Sequence, residues 1–299
     1  MNLPSNPDGS YREAMPSKQD VREFLMSRRA AVAPERAGVP VFSGDRRVPG
    51  LRREEVAALS GVSVDYYTRL EKGNIVGVSD TVLNAVARAL QLTPVEREHL
   101  LDLARSANRS PVAAVNPGVE PALRPSMQRT LDSMNVPAIV QTPSQDIVAA
   151  NLLARAMYAP LFDGAEQPNF AFFNYLDPRS RDFFVDWPWA RRTAAAIMRF
   201  EMGRNPANAR LNAVIEELTQ TSALFVEDWA RNDVHEHRTG VKSFRHPQIG
   251  VLEVVFDVFE TPGEPDLKMV TYSAPSGSET AEKLVLLASW ASSNSIDSH

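Results

Sequence analysis

The sequence predicts two domains: an all-α domain followed by an α+β domain that carries one antiparallel sheet. The chain of 299 residues is long enough for both. Apolar residues recur at helical spacing through the first third, and a proline-rich stretch at 108–126 then interrupts the periodicity. Beyond it, strand patterns flank a group of helical ones, an order typical of α+β folds.

These patterns also predict where the domains begin and end. We expect a flexible N-terminus at 1–16, a helical domain at 17–106, a linker at 107–125 and the α+β domain at 126–299. The linker contains several prolines and shows neither helical nor strand periodicity, as is common between independently folded domains.

The helical domain is predicted to contain five helices. The first begins at Ser17, whose hydroxyl can cap it, and ends near Ala33, before a loop rich in Pro and Gly. Four shorter helices are expected at 52–60, 63–72, 79–91 and 93–106. The last opens with the capping box Thr93–Glu96 and has a proline in its first turn.

The α+β domain is predicted to begin with two strands and to end with three strands and a helix. The expected strands are 137–141, 146–150, 242–246, 250–260 and 267–274. The expected helices are 151–158, 189–202, 207–219, 223–231 and 278–292.

Composition excludes several classes of site. The chain has no cysteine, which excludes disulfides, thiolate metal sites and a cysteine nucleophile. The first twenty residues lack a basic start and an apolar core, and the longest apolar runs are too short to span a bilayer. We therefore expect a cytoplasmic protein with no membrane partner.

Charge is distributed unevenly along the chain. The net charge is −5, but the residues up to 106 carry a net charge of +1 and the remainder −6. Arginines and lysines cluster within the helical domain between residues 46 and 72. Because local rather than net charge meets phosphate, this cluster is compatible with a nucleic-acid partner.

The segment 52–73 has the pattern of two helices joined by a tight turn. Gly61 stands at the turn, where a positive φ is expected, and Ser63 can cap the second helix. Ala57 must be small because the second helix crosses close above it. The residues expected to be buried are Val56, Ala57, Leu59, Val62, Tyr67 and Leu70.

This arrangement turns the start of the second helix outward, where it can enter the major groove of double-stranded DNA. The outward positions are Ser63, Val64, Asp65, Thr68 and Arg69, of which Val64, Asp65 and Arg69 are the expected base readers. The expected phosphate contacts are Arg52, Arg53, Lys72 and Asn74. Arg69 can donate two hydrogen bonds to guanine, and Val64 can touch a thymine methyl. Asp65 can accept from a cytosine amino group or orient Arg69.

The alternative is an ordinary pair of packed helices with a glycine turn. The full string of residues at these spacings is more specific than that, and it resembles the lambda-repressor-like helix-turn-helix domains, the XRE family, over residues 17–106. One recognition helix covers only a half-site, so we expect a homodimer on a palindromic operator.

The α+β domain has many aromatic residues: Phe170, Phe172, Phe173, Phe183, Phe184, Trp187, Trp189, Phe200, Phe225 and Trp229. Most are expected to fill the core, and the others can line a cavity for an apolar ligand.

Motifs in both domains resemble one family. They are PGLRREEVA at 49–57, GVSVDYYTRLEKG at 61–73, VAAN at 148–151, LDP…R…DW at 176–187, EL…S..F…W at 217–229 and KSFRHPQIG at 242–250. Together they are similar to the MmyB-like regulators, which are bacterial and dimeric and join this helix-turn-helix to a PAS-like domain. Some members hold a fatty acid there. The resemblance implies transcription control by a small apolar or acyl ligand.

The candidate ligand contacts are Asn151, Phe173, Trp187, Arg199, Phe225 and His246. Each has a structural alternative. Asn151 can cap a helix, and His246 can make a hydrogen bond within the fold. Arg199 and also Lys242 can meet a ligand carboxylate or a protein acid.

Other chemistry finds little support. His235 and His237 flank one glutamate, but no third metal ligand is implied. Phosphate-binding, dinucleotide-binding and nucleophile motifs are missing from the sequence. We expect no cofactor, no metal and no enzyme activity. A DNA-tethered protein-interaction regulator without a small-molecule effector remains the alternative function.

Overall fold

A computed structural model describes residues 18–39, 48–108, 123–261, 263–264 and 266–296. The predicted flexible segment 1–16 and most of the predicted linker 107–125 lie outside these residues. The chain divides into two compact units, one of residues 1–115 with 202–208, and one of residues 116–201 with 209–299.

The helical unit contains all five predicted helices, each within two residues of its expected bounds. They are α1 (Lys18–Ala31), α2 (Arg53–Ser60), α3 (Val64–Glu71), α4 (Asp80–Ala89) and α5 (Pro94–Asn108). A short 3-10 turn, Pro34–Ala37, lies in the predicted loop after α1. The side chains of Ser63 and Ser79 accept hydrogen bonds from the first turns of α3 and α4, which is why these helices begin where they do.

The core of the helical unit is formed by one apolar face from each helix. Val56 and Ala57 of α2 meet Tyr67 and Leu70 of α3 in its interior, and all four are buried. The prediction that Leu59 is buried was wrong, since it is 43% exposed. At 3.6 residues per turn, Leu59 points more than a quarter-turn away from the centre of the face formed by its two buried neighbours. Val62, expected in the core, is half-buried.

The second unit, which we call the sheet unit, has the five predicted strands. They are β1 (Ala138–Gln141), β2 (Ile147–Ala150), β3 (Thr239–His246), β4 (Gly250–Glu260) and β5 (Lys268–Ser273). The remaining helices are α6 (Pro125–Asp132), α7 (Leu152–Met157), α8 (Ala159–Phe162), α9 (Phe170–Leu176), α10 (Arg179–Phe183), α11 (Trp187–Arg204), α12 (Ala209–Thr221), α13 (Ala223–Trp229) and α14 (Glu279–Ile296). The sequence patterns did not predict α6, α8, α9 or α10.

The five strands form one antiparallel sheet in the order β2-β1-β5-β4-β3. The predicted PAS-like α+β fold is confirmed. One face of the sheet packs against α7, α8, α9, α10 and α14 around Tyr158, Phe244 and Tyr272. The opposite face of β1 and β2 contacts a smaller apolar cluster that includes Leu131 of α6. The larger cluster is the main core and forms one wall of the cavity described below.

Candidate DNA interface and ligand cavity

The turn between α2 and α3 has the geometry that the sequence predicts. Gly61 has φ +69°, a conformation that favours glycine, and its N–H donates to the carbonyls of the preceding helical turn. The Ser63 hydroxyl accepts from the backbone N–H of Tyr66 at 3.1 Å. These contacts fix the first turn of α3 and leave the outer side of that turn free to meet another molecule.

A buried carboxylate holds the end of α3 in place. Glu71 is 2% exposed and accepts hydrogen bonds from Arg29 of α1 and Arg53 of α2. Tyr67 also donates to this carboxylate at 3.5 Å, and burial followed by the charge of Glu71 raises the pKa of Tyr67. The pairing therefore joins α3 to α1 and α2.

Gly73 follows α3 and lies close to α1. Its φ is +90°, and a Cβ placed there would lie 2.1 Å from the carbonyl oxygen of Lys18. No side chain fits at that distance without moving the backbone. The close approach seats the end of α3 against the start of α1.

The five residues predicted to point outward lie on the outer side of α3, with Ser63 at the position that caps the helix. Ser63, Val64, Asp65 and Arg69 are exposed, and Thr68 is half-buried. Arg69 contacts the backbone rather than the carboxylate of Asp65: its Nε donates to the Asp65 carbonyl at 3.4 Å. The structure thus brings the five residues together on one short helix.

The four predicted phosphate contacts differ in their surroundings. Arg52 and Lys72 are exposed at opposite ends of the motif. Arg53 directs its guanidinium to Glu71, and the Asn74 amide donates to the Arg69 carbonyl at 3.2 Å. Arg53 and Asn74 therefore have structural partners, and their contact with phosphate stays a prediction.

A cavity of about 340 Å³ lies in the sheet unit between β3, the end of β1, α9 and α11. Its inner wall includes Gln141, Gln145, Tyr158, Phe170, Asn174 and His237, all buried. Three apolar side chains at its rim, Val185, Trp189 and Val241, are exposed. The cavity is thus lined by rings and amides within and by exposed apolar groups at its rim, and its lining also includes the exposed Asp186 and the half-buried Lys242.

Lys242 is the lysine of the cavity wall. Its ammonium lies 4.5 Å from the centroid of the Phe256 ring, 5.8 Å from that of Tyr272 and 6.0 Å from that of Phe170. Burial among these rings lowers the pKa of Lys242 to about 7. By accessible surface the whole residue is half-buried, and it forms part of the cavity lining.

Two further polar groups of the cavity wall lack partners. The Asn174 amide nitrogen donates to the Phe170 carbonyl at 2.7 Å, but its Oδ1 has no hydrogen-bond partner among the described residues. Both ring nitrogens of His237 are likewise unpaired within that part of the chain. Burial, followed by the charge of Lys242, lowers the pKa of His237, so its ring is neutral.

None of the six ligand contacts proposed from the sequence lines this cavity. Asn151 instead ties three segments together. Its Oδ1 accepts from Ala138 N and Ala154 N, and its Nδ2 donates to the carbonyls of Leu131 and Val136. The helix-capping alternative describes its position.

The other five make contacts within the fold. His246 shares a 2.9 Å hydrogen bond with the Ala156 carbonyl, and Arg199 lies 4.0 Å from the Trp229 ring and donates to its carbonyl. The Trp187 indole donates to the Asn174 carbonyl at 3.0 Å. Phe173 packs on Phe183 and Phe184, and Phe225 packs on Tyr175 and Trp229.

Replacing Asn151 with alanine is expected to destabilise the sheet unit. The change removes a helix cap and leaves buried N–H and C=O groups without partners, each worth about 1–3 kcal/mol. We expect a loss of roughly 2–4 kcal/mol in the free energy of unfolding, measured by urea denaturation, with unchanged ligand affinity at temperatures where the variant is folded. A variant of full stability but weaker ligand binding would contradict this role.

Sequence reasoning missed most of the polar cavity lining, including Gln145, Asn174 and His237. One signal was readable. Lys242, Phe244 and His246 are spaced two residues apart along β3, so all three lie on the same face of the strand. A lysine on a face with two buried residues is the signal.

The described residues contain no group of three or more potential metal ligands. No helix in this same part of the chain is both long enough and apolar enough to cross a bilayer.

Two family models match the chain. A helix-turn-helix domain matches residues 15–100, and the MmyB-like transcription regulator ligand binding domain matches residues 123–287, more than half of the chain. The chain belongs to the MmyB-like transcription regulators. No curated protein matches it. As an MmyB-like regulator it combines a helix-turn-helix DNA-binding domain with a ligand-binding domain.

Proposed function

We propose that this MmyB-like regulator is a cytoplasmic homodimer that binds a palindromic operator and changes its affinity when a small apolar or acyl ligand occupies the sheet unit. The observation that carries the proposal is α3, which presents Val64, Asp65 and Arg69 on its exposed side above a fixed core. Two copies of such a helix, one helical turn of DNA apart, match the symmetry of a palindrome.

Arg69 is proposed to read a guanine through two hydrogen bonds. Arg69→Ala is expected to weaken binding to the selected operator by ~1–3 kcal/mol and to relax one base position. Lys72→Ala is expected to weaken all sequences alike and to flatten the salt dependence, because phosphate contacts are independent of sequence. Fluorescence anisotropy on operators selected from random DNA measures both effects.

Arg88→Ala provides a matched control, since Arg88 is an exposed arginine on α4. It should retain affinity and sequence preference. If Arg69→Ala lowered the affinity for every sequence equally, Arg69 would be a phosphate contact and the proposed recognition face would be wrong. Arg53→Ala is less informative than the sequence suggests, because it also removes a partner of Glu71.

Symmetry has its own test. Light scattering on the full chain should give twice the chain mass, and the selected operators should contain inverted half-sites. A monomer that binds a single half-site would contradict the dimer.

Ligand control requires the ligand to bind the DNA-competent and DNA-incompetent states with different affinities. The 340 Å³ cavity supports this function over a DNA-tethered protein-interaction regulator, for which a filled core would suffice. Any molecule that co-purifies with the protein should be identified by native mass spectrometry, and operator affinity should be measured with and without it. Equal affinity in both conditions would exclude ligand control.

A further inference from the structure

The amine of Lys242 has no anionic partner in the cavity. The described residues provide no carboxylate within ion-pair distance of Lys242 Nζ, which lies over the rings of Phe256, Tyr272 and Phe170. The carboxylate in the cavity lining, that of Asp186, instead accepts from the backbone N–H of Trp189 at 3.0 Å. Aromatic faces attract a cation but replace only part of the hydration that it loses on burial. A charge in such surroundings is stabilised when an anion enters.

The other unpaired groups lie in the same cavity wall. Asn174 Oδ1 is an acceptor without a donor, and the neutral His237 ring has both nitrogens unpaired. Buried polar groups are normally satisfied, so unsatisfied ones in residues of a cavity wall indicate a ligand with matching groups. The atoms concerned are themselves covered, so a ligand would reach them after a change of side-chain rotamer. The missing partners are an anion for Lys242 and a hydrogen-bond donor for Asn174.

We propose that the cavity binds a compact organic carboxylate whose anion pairs with Lys242 and whose hydroxyl or amino group donates to Asn174 Oδ1. The inference rests on the proposed function, in which this cavity is the effector site. The neutral ring of His237 can also donate one hydrogen bond to the ligand or accept one from it, according to which ring nitrogen carries the proton. Because burial lowers the pKa of Lys242 to about 7, a bound anion should raise that pKa and hold the amine in its charged form.

The size and lining of the cavity favour a short ligand body. A volume of about 340 Å³ is near the lower end of the range of small-molecule sites. Rings of Tyr158, Phe170 and Phe184 line it. A planar ring of similar size can pack against these walls while both polar ends reach their partners. We therefore expect aromatic hydroxy-acids to bind more tightly than hexadecanoate.

The test compares acids with their uncharged amides. Binding of 4-hydroxybenzoate, 4-hydroxyphenylacetate and phenylacetate, each paired with its primary amide, is measured by calorimetry on the full chain. The hydroxy-acids should bind at least about tenfold more tightly than their amides, as expected for a charged hydrogen bond. Phenylacetate lacks the hydroxyl that would donate to Asn174 Oδ1, so it should bind more weakly than 4-hydroxyphenylacetate.

Lys242→Met should remove the preference for acids over amides. Lys283→Met should retain it, because Lys283 is a half-buried lysine of α14 that pairs with Glu279 and does not line the cavity. Without ligand, Lys242→Met should melt at the same temperature as the wild type or higher, because an apolar side chain replaces a buried unpaired charge. A lysine with a structural role would lower the melting temperature when removed.

A second measurement uses only the wild-type chain. Brief treatment with acetic anhydride followed by peptide mass spectrometry should modify Lys242, and saturating 4-hydroxyphenylacetate should protect it while Lys283 reacts as before. Protection of neither lysine, equal binding of acids and amides, or tighter binding of hexadecanoate than of every ring acid would overturn the proposal.

The two proposals fail in different ways. If the hydroxy-acids bind through Lys242 but leave operator affinity unchanged, the ligand inference holds and ligand control fails. If another molecule changes operator affinity equally in the wild type and in Lys242→Met, ligand control holds and the inference is wrong.

Discussion

Replacing Glu71 with leucine is expected to destabilise the helical unit by about 3–5 kcal/mol, since the change leaves buried charge without its partner. Glu71 is almost fully buried and pairs with Arg29 and Arg53, of which Arg29 is itself mostly buried. The loss should also abolish operator binding, because the same carboxylate sets the position of α3 against α1 and α2. Hydrogen exchange of α3 amides measures the effect locally, which matters in a chain of two units.

The matched control is Glu54→Leu, which alters an exposed glutamate on α2. It should change hydrogen exchange in α3 very little, because exposed ion pairs contribute at most about 1 kcal/mol. Full protection of α3 in Glu71→Leu would mean that the two arginines are adequately hydrated without their partner. The proposed link between this carboxylate and the recognition surface would then fail.

Phe244→Ala is expected to have an effect of similar size on the sheet unit. Phe244 is fully buried on β3, and its ring stacks on Phe183 at 5.2 Å and packs edge-on against Tyr158 at 5.0 Å. Removing a buried phenylalanine ring typically costs about 3–5 kcal/mol, through lost transfer energy and the void that remains. The void would adjoin Tyr158 and Phe184, both of which line the ligand cavity.

Phe259→Ala on the neighbouring strand removes a ring that is about half-exposed, so its effect should be much smaller. Urea unfolding followed by hydrogen exchange in β3 and β4 distinguishes the two variants. An equal loss in the free energy of unfolding for both variants would indicate that the void at position 244 collapses and leaves the cavity unchanged. In the void-forming case, ligands with larger bodies should gain affinity for Phe244→Ala relative to the wild type.

The helical unit was largely readable from sequence because its signals are local. Ser63 and Ser79 begin helices, Gly61 makes the turn, and each helix buries a face of regular spacing. The error at Leu59 arose from a helix of only eight residues, in which an apolar residue beside the buried face resembles a member of it. The pairing of Glu71 with Arg29 and Arg53 was not readable, since the three residues are distant in sequence.

The sheet unit was readable in outline only. Strand alternation and the turn-rich segment between β4 and β5 predicted the strands, but α9 and α10 are too short to show a helical period. The cavity is assembled from residues between 141 and 243, brought together by the sheet and by α11. A list of aromatic residues therefore named rings such as Phe173 and Phe225 that pack in the core. The amides of the cavity wall were not assigned, and for Lys242 the sequence left open whether its partner is a ligand carboxylate or a protein acid.

The close approach of Gly73 to the backbone of Lys18 limits which positions can be changed to give this regulator a new operator. The fold depends on positions such as 71 and 73, whereas Val64, Asp65 and Arg69 project outward and carry little of the packing. If these three residues read bases as proposed, folding and sequence preference depend on different positions of one short segment. A library that randomises positions 64, 65 and 69 and preserves Gly73 should yield mostly folded proteins with new operator preferences. The proposed recognition residues can then be exchanged while the surrounding fold stays the same.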